Sequence, residues 1–369
     1  MNIGIITFHS AYNYGAVLQC YALQKITNKL CNDCKIEVIN YIDENVMSGY
    51  KFLPKNKKNV KCYIRGIAKY ILYGRKIKKR FENFDNFMNL NYKISDKRYD
   101  KSNINNINNE YDILITGSDQ VWNPNIVGEL SDAYTLNFGK DSVNRISYAA
   151  SIGNSFIEDS FKDDYKRKIA KIDHISVREE DAKKALEKLI DKKIDVVLDP
   201  TLLLNRNEWD KKIKEIPSEK EKYILAYVVE GNEEYRKIVN YLSEITGLKV
   251  VYFEKVNKYE NPLRSAYTEG PLEFVNLIKN AEYVVATSFH ATVFSIIFNK
   301  KFFIVPHKKT GSRVTNLLDK LKIENRTYVN LEDFKKIDYN FETDWEKVDM
   351  LLNRERQKSI DWLKNAIEG

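Results

Sequence analysis

The chain has 369 residues, of which 43% are hydrophobic and 30% charged, and its formal net charge is +8. This composition is normal for a folded protein and excludes an intrinsically disordered chain. The length is comfortable for two domains of roughly 150–200 residues each. The mild positive charge comes without a recognition helix, zinc finger or RNA-stacking motif, so we expect no nucleic-acid partner.

Two series of short apolar strands alternate with helical stretches along the chain. Most of these strands are continuous apolar runs, which is typical of parallel strands covered on both faces. The alternation predicts an α/β protein with two Rossmann-like, doubly wound domains facing a cleft. The predicted strands lie near Ile3–Phe8, Glu37–Ile39, Ile113–Thr116, Arg145–Ala149, His174–Val177, Val196–Leu198, Tyr223–Val229, Val250–Phe253, Tyr283–Ala286 and Phe302–Val305.

A polar, charged stretch separates the two series and predicts the domain boundary. The N-terminal domain is expected over residues 1–205, on the acceptor side of the cleft. The C-terminal domain is expected over 220–340, on the donor side, and a final helix over 344–369 is expected to pack back across the chain. No apolar run approaches the roughly 20 residues that span a bilayer, and the N-terminus lacks a secretory signal. We therefore expect a cytoplasmic protein.

The segment Lys51–Arg80 is rich in basic residues and has no acidic one, and it opens a helical insertion over about 51–90. A basic amphipathic helix can lie on an anionic membrane, so one hypothesis is peripheral contact with the inner face of a membrane. The alternative is a solvated insertion that packs one face onto its domain. The lone pair Cys31 and Cys34 predicts an ordinary turn, and no metal site is expected, because no second ligand pair appears.

The residues that directly follow strands are the candidate site, because open parallel sheets bind ligands beyond the carboxyl ends of their strands. The loop after the Ile113–Thr116 strand mixes aromatic and polar groups, as sugar sites do, and Asp119 could act as a base toward a sugar hydroxyl. The alternative for this loop is a capped turn with the tryptophan in the core. The residues assigned to acceptor binding are Asn13, Tyr14, Ser118, Gln120, Trp122 and Asn123.

Arg178 and His290 also follow predicted strands. Arg178 could clamp a phosphate or carboxylate, or else pair with Glu179 or Glu180. His290 falls in the first turn of a helix, where unpaired amides attract an anion, and a histidine there suits proton transfer. The residues assigned to donor or anion binding are Arg178, Ser288, Phe289, Lys308 and Arg313.

Six segments, in order and over nearly the full length, make the chain resemble the polysaccharide pyruvyl transferase family. They are GIITFHSAYNYGAVLQCYALQ, ITGSDQVWNP, ISYAASIG, SVREE, VLDPTLLL and EGPLEFVNLIKNAEYVVATSFHATVFSIIF. The resemblance implies a fold similar to that of two-domain, GT-B-like glycosyltransferases. It also implies transfer of a pyruvyl group from phosphoenolpyruvate to two hydroxyls of a sugar or lipid-linked saccharide, without a cofactor.

The family's essential histidine matches His290, and its phosphoenolpyruvate-binding arginine in the R-E element matches Arg178. The family has a second arginine two residues before the histidine, where this chain has Ser288. The sequence therefore leaves two other functions open. One is a glycosyltransferase that uses a nucleotide-sugar in the same cleft, and the other is a non-catalytic glycan-binding component of a polysaccharide assembly complex.

Overall fold

A computed structural model of the protein describes residues 1–50, 60–107, 110–229, 233–306, 311–324 and 326–369. These residues divide into two compact units. Unit 1 takes in the described residues of Met1–Lys58, Met88–Leu204 and Leu352–Gly369, and unit 2 takes in those of Asn59–Phe87 and Asn205–Leu351. Between these units the chain passes from Leu204 in unit 1 to Asn205 in unit 2, and residue 205 is the first of the polar stretch in which the sequence places the boundary.

The secondary-structure elements alternate as the sequence predicts. The strands are β1 (Asn2–Ile6), β2 (Lys35–Tyr41), β3 (Ile94–Tyr99), β4 (Ile113–Thr116), β5 (Asn144–Ala150), β6 (His174–Val177), β7 (Ile194–Val196), β8 (Tyr223–Tyr227), β9 (Lys249–Tyr252), β10 (Pro262–Ser265), β11 (Tyr283–Ala286) and β12 (Lys301–Ile304). The helices are α1 (Tyr14–Leu30), α2 (Glu44–Ser48), α3 (Val60–Asn91), α4 (Pro124–Val127), α5 (Lys162–Ile169), α6 (Glu180–Glu187), α7 (Pro200–Leu203), α8 (Arg206–Ile213), α9 (Glu233–Thr246), α10 (Pro271–Asn280), α11 (Phe289–Ile297), α12 (Gly311–Lys320), α13 (Leu331–Phe334) and α14 (Trp345–Glu368).

The sheet of unit 1 has seven parallel strands in the order β3-β2-β1-β4-β5-β6-β7. The apolar run of β4 is buried throughout, and β1 is buried except for its first residue, as expected for central strands covered on both faces. From β1 the chain builds outward through β2 and β3, and it then returns to add β4 on the other side. The strand order therefore reverses between β1 and β4.

The sheet of unit 2 has five parallel strands in the order β10-β9-β8-β11-β12, and its order reverses between β8 and β11. β8 and β11 are buried along their whole length. Both units have the doubly wound strand order of Rossmann-like domains. The predicted α/β fold class is therefore confirmed.

α3 differs from the predicted placement of the insertion. Its residues up to Phe87 belong to unit 2 and not to the N-terminal domain. Arg80 Nη1 donates to the Tyr267 carbonyl at 3.0 Å, and Asn83 Nδ2 donates to the Thr268 carbonyl at 2.7 Å. Residues 51–59 of the predicted basic segment lie outside the described residues.

α14 belongs to unit 1 from Leu352 onward. Ser359 Oγ accepts a hydrogen bond from the Leu198 amide at 3.0 Å, and Trp362 Nε1 donates to Asp195 Oδ2 at 2.9 Å. The final helix thus holds the segment that follows β7. No helix in the described part of the chain combines the length and the apolar character that crossing a bilayer requires.

The turn between α1 and β2 carries the predicted cysteine pair. A disulfide joins Cys31 to Cys34 in this turn, and the Cys34 amide donates to the Cys31 carbonyl at 3.3 Å. The predicted turn is present, and the covalent link between the two sulfurs is a feature that the sequence did not predict.

Candidate functional site

Each sheet has one place where ligand binding is expected, at the carboxyl ends of the two strands between which the strand order reverses. In unit 1 these are the ends of β1 and β4, followed by His9 and Asp119. In unit 2 they are the ends of β8 and β11, and the segment after β11 carries His290. The predicted catalytic residues thus lie at such reversal points, Asp119 in unit 1 and His290 in unit 2.

The loop after β4 is held in one shape by its backbone and by buried hydrogen bonds. Gly117 has a φ of +109°, and a Cβ at this position would lie 2.2 Å from the Tyr148 carbonyl oxygen, so only glycine is compatible. The Ser118 amide donates to Gln19 Oε1 at 3.0 Å, and Thr7 Oγ1 donates to the Ser118 carbonyl at 3.2 Å. Asp119 follows with a φ of 70°, a left-handed conformation that aspartate adopts more readily than most residues.

Arg178 lies in a buried charge network at the same edge of unit 1. Its Nε donates to Glu179 Oε1 at 2.8 Å and its Nη1 donates to Asp199 Oδ2 at 3.0 Å. Nη1 also lies 3.8 Å from Asp119 Oδ1. The Arg178 side chain is 2% exposed, and those of Asp199 and Asp119 are 0% and 15% exposed. The sequence left an ion pair with Glu179 open, and this pair is present.

The charges around Arg178 determine its protonation state. Burial alone lowers the pKa of the guanidinium, but the carboxylates of Glu179, Asp199 and Asp119 outweigh it and raise that pKa above its usual value. Arg178 therefore stays charged. Since three carboxylates surround one cation, a bound anion would compete with them, and donor binding by Arg178 stays a prediction.

Asp199 forms hydrogen bonds with residues that follow three different strands. Its Oδ2 accepts from Ser118 Oγ at 3.2 Å as well as from Arg178, and its Oδ1 accepts from Thr201 Oγ1 at 2.6 Å and from the Thr201 amide at 3.0 Å. These bonds connect the loop after β4 with Arg178 after β6 and with the start of α7. Asp199 was not among the predicted site residues. The available signal was its position, an acidic residue directly before a proline just after a predicted strand.

Three of the predicted acceptor-binding residues are closed to solvent, which corrects their assignment. Trp122 is 0% exposed and its Nε1 donates to the Tyr134 carbonyl at 2.9 Å, so its ring packs in the core and cannot stack on a sugar. Tyr14 is fully buried at the start of α1, and the Ser118 hydroxyl is engaged by Asp199 and the Ala149 carbonyl. The sequence had left the core alternative open for Trp122.

Of the other acceptor-binding candidates in unit 1, Asn13 and Gln120 are partly exposed, whereas Asn123 is buried. Asn13 caps α1 by accepting a hydrogen bond from the Ala16 amide at 3.2 Å, and it is partly exposed. Asn123 Nδ2 donates to Gln120 Oε1 at 2.9 Å. A Cβ on Gly153, whose φ is +78°, would lie 2.2 Å from Asn123 Nδ2, so this glycine leaves room for the amide pair. Their contact with an acceptor stays a prediction.

His9 is a buried polar residue that was not among the predicted site residues. It follows β1, and its Nδ1 lies 3.4 Å from the Thr7 carbonyl oxygen. Burial lowers the pKa of His9 to about 4, although the Thr7 carbonyl and the Asn40 side chain partly offset this effect. His9 is therefore neutral at physiological pH.

His290 occupies the first turn of α11 in unit 2, as predicted. Ser288 is the N-cap residue, but its side chain makes no capping hydrogen bond, and Thr287 Oγ1 accepts instead from the Val229 amide at 3.0 Å. His290 is 7% exposed, and its ring meets the Phe289 ring edge-on at 5.3 Å between centroids. The first amides of a helix have no intrahelical acceptor, so this turn can bind an anion beside an imidazole.

Two further donor-binding candidates follow β12. Lys308 lies outside the described residues. Arg313 is half-buried in the first turn of α12. Within the described part of the chain, His, Cys, Asp and Glu residues form no group of three that could hold a metal ion.

The family of the chain follows from comparison with known proteins. The model of the polysaccharide pyruvyl transferase family matches residues 13–309, which is most of the chain and includes Asp119, Arg178 and His290. The chain therefore belongs to the polysaccharide pyruvyl transferase family, a family of transferases. A search of curated proteins finds no match.

Solved structures similar to this chain have the same type of fold. One is a UDP-GlcNAc 2-epimerase from Methanocaldococcus jannaschii in complex with UDP-GlcNAc and UDP, with 13% identity, a TM-score of 0.50, and coverage of 96% of this chain and 99% of that one. Another is a putative UDP-N-acetylglucosamine 2-epimerase from Listeria monocytogenes, with 11% identity, a TM-score of 0.50, and coverage of 99% and 90%. At these identities the similarity concerns the fold alone.

Proposed function

We propose that this protein transfers the pyruvyl group of phosphoenolpyruvate to two hydroxyls of a sugar during synthesis of a cell-envelope or capsular polysaccharide. The bond between donor C2 and the phosphate ester oxygen breaks, and C2 forms bonds to both acceptor oxygens. The donor methylene becomes a methyl group by gaining one acceptor proton, and the departing phosphate takes the other. The products are a cyclic pyruvate ketal and inorganic phosphate.

The observation that carries this proposal is the position of His290 in a chain of this family. Histidine accepts and donates protons near neutral pH, and the first turn of α11 offers amides to a charged donor beside it. We assign His290 the proton transfer between an acceptor hydroxyl and the donor. The imidazole packs edge-on against the Phe289 ring, a contact that favours one orientation of the ring.

Donor binding needs groups that neutralise a phosphate and a carboxylate. The first turn of α11, which follows Ser288, supplies backbone amides. The Ser288 hydroxyl makes no capping hydrogen bond, so it can donate a hydrogen bond to an oxygen of phosphoenolpyruvate. Arg313 and Lys308 are the cations assigned to this role. Phosphoenolpyruvate is itself the activated donor, so the proposed chemistry requires no resident cofactor.

In unit 1 we assign acceptor binding to the partly exposed edge beyond β4. Asp119 is the carboxylate at this edge that water reaches, and its oxygens can accept from a sugar hydroxyl and serve as a base. The Arg178 network holds this carboxylate in place, since Nη1 lies 3.8 Å from Asp119 Oδ1. Asn13 and Gln120 are assigned as hydroxyl partners.

Calorimetry with phosphoenolpyruvate, followed by phosphate release over a panel of saccharides, tests the proposal. His290→Gln is expected to bind phosphoenolpyruvate normally but to lose turnover by a factor of at least about 10². The matched control is His174→Ala, which removes a histidine at the amino end of β6 and is expected to leave turnover unchanged. Full activity of His290→Gln would remove His290 from the reaction.

A nucleotide-sugar glycosyltransferase is the second candidate, because Ser288 stands where the family has an arginine for the donor. UDP-GlcNAc serves as the probe in the same calorimeter cell. Binding of UDP-GlcNAc without binding of phosphoenolpyruvate would replace our proposal by this one. Binding of saccharides alone would indicate the non-catalytic glycan-binding component.

A further inference from the structure

One face of α3 presents large aliphatic side chains to solvent. Ile71 is 76% exposed and Leu72 is 70% exposed. Isolated exposed apolar residues are common on protein surfaces, but two adjacent aliphatic side chains on one helix face are a small apolar patch.

Basic residues surround this patch on the same helix face. Arg75 and Lys78 lie four and seven residues after Ile71, and Lys79 lies seven after Leu72, so all of these side chains share one side of the helix. The three basic residues are exposed. Lys78 Nζ lies 3.9 Å from Glu82 Oε1, whereas no described carboxylate pairs with Arg75 or Lys79. The face formed by Ile71, Leu72, Arg75, Lys78 and Lys79 is called the α3 basic face below.

The opposite side of α3 is firmly attached to unit 2. Ile77 and Phe84 are buried, and Arg80 lies over the rings of Phe84 and Tyr267 at 4.7 and 5.3 Å. Lys76 Nζ donates to the Lys255 carbonyl at 3.2 Å. Since packing and hydrogen bonds fix this side, the outward direction of the α3 basic face is a consequence of the fold.

The charge of the surrounding sequence has the same sign. Twelve of the thirty residues from Lys51 to Arg80 are lysine or arginine, and none is acidic. In other helices some basic residues pair with an acidic residue one turn away, as Arg167 does with Asp164 at 2.7 Å and Lys183 with Glu187 at 3.7 Å. The segment Lys51–Arg80 contains no acidic residue that could neutralise its twelve basic ones in this way.

We propose that the α3 basic face docks unit 2 onto the surface of an anionic lipid bilayer. Lysine and arginine side chains are attracted to anionic headgroups, while aliphatic side chains enter the boundary between headgroups and acyl chains. Nucleic acid also offers phosphates, but it has no acyl region that the exposed aliphatic side chains of Ile71 and Leu72 could enter. The combination of apolar and basic side chains on one face therefore favours lipid. This inference is independent of which donor the enzyme uses.

Vesicle sedimentation with the full-length protein tests the proposal. The wild type is expected to bind vesicles rich in phosphatidylglycerol, to bind pure phosphatidylcholine vesicles poorly, and to be released by salt. Arg75→Glu/Lys79→Glu is expected to weaken binding by at least about 25-fold, from roughly fivefold for each basic residue lost. Ile71→Ser/Leu72→Ser is expected to weaken binding by about tenfold or more.

The control Lys184→Glu/Lys188→Glu makes the same charge change on two exposed lysines, one in α6 and one directly after it, and is expected to bind like the wild type. All variants are expected to bind phosphoenolpyruvate or UDP-GlcNAc as the wild type does, since the altered residues lie outside the assigned site. An equal loss of vesicle binding in the control variant would mean that the total charge of the protein, and not the α3 basic face, governs binding. Binding to DNA that is as tight as binding to vesicles, and that survives Ile71→Ser/Leu72→Ser, would also overturn the proposal.

Discussion

Removing the Arg178 guanidinium probes the buried charge network of unit 1. Arg178 donates to Glu179 at 2.8 Å and to Asp199 at 3.0 Å, and their side chains are all closed to solvent or nearly so. Arg178→Met keeps much of the side-chain volume but leaves two buried carboxylates without their cation. Breaking a buried ion pair in this way costs about 3–5 kcal/mol. That is a large part of the ~5–15 kcal/mol by which a typical domain is stable.

Hydrogen exchange in increasing urea, read by mass spectrometry, measures this loss separately in each unit. Peptides from β4 and β6 report on unit 1, and peptides from β11 report on unit 2. Only the unit 1 peptides are expected to open at lower urea in Arg178→Met, and Asp199→Asn is expected to have a smaller effect because the amide still accepts hydrogen bonds. A loss below about 1 kcal/mol in unit 1, or an equal loss in both units, would refute the reasoning.

Arg178→Lys separates stability from donor binding. Lysine keeps the positive charge beside Asp199, so most of the stability should remain, but it lacks the planar fork of arginine. If Arg178 also binds the donor, this variant is expected to raise the KM for phosphoenolpyruvate at nearly unchanged stability. An unchanged KM would assign Arg178 to the support of the Asp119 loop alone.

Three other changes have expected outcomes. The pKa of His9 is about 4 in the folded chain, against an ordinary value of 6.5. As the pH falls, the unfolded chain therefore binds a proton at this histidine before the folded chain does. The free energy of unfolding is expected to fall by about 3 kcal/mol between pH 6.5 and pH 4. In His9→Gln, the free energy of unfolding measured in urea should lose this dependence on pH. An unchanged slope of that free energy against pH would contradict the prediction. Gly117→Ala should lower the free energy of unfolding of unit 1, measured in urea, by about 3 kcal/mol or more, because its Cβ would meet the Tyr148 carbonyl. A variant of normal stability would disprove this. Ser288→Arg should lower the dissociation constant for phosphoenolpyruvate in calorimetry by about tenfold, and unchanged affinity would mean that the donor phosphate lies elsewhere.

The sequence predicted most of the strands but missed β3 and β10. β4, β6 and β11 have the predicted bounds. β4 and β11 are buried along their whole length and β6 except for its first residue, and strands covered on both faces are rich in apolar residues. β3 reads ISDKRY and β10 reads PLRS, and neither pattern is apolar. Both lie at sheet edges, where one side is unpaired and polar residues are tolerated. Such strands depend on their neighbours more than on their own residues.

The positions of the site residues along the chain were predictable, but the burial and pairing of their side chains were not. The place of His290 after β11 follows from local pattern, since a strand and a helix start adjoin it in sequence. The burial of Trp122 depends on Tyr134 and on the rest of the unit 1 core, and the pairing of Arg178 depends on Asp199, which follows another strand. A residue after a strand can point outward or inward, and contacts distant in sequence decide between the two.

A transfer assay with doubly labelled phosphoenolpyruvate tests the central claim most directly. The donor carries ¹⁴C in its pyruvyl carbons and ³²P in its phosphate, and a saccharide panel serves as acceptor. We predict that ¹⁴C enters a saccharide as an acid-labile ketal while ³²P appears as inorganic phosphate, and that His290→Gln abolishes both. Incorporation of ³²P into the saccharide, or ¹⁴C transfer that persists in His290→Gln, would contradict the account.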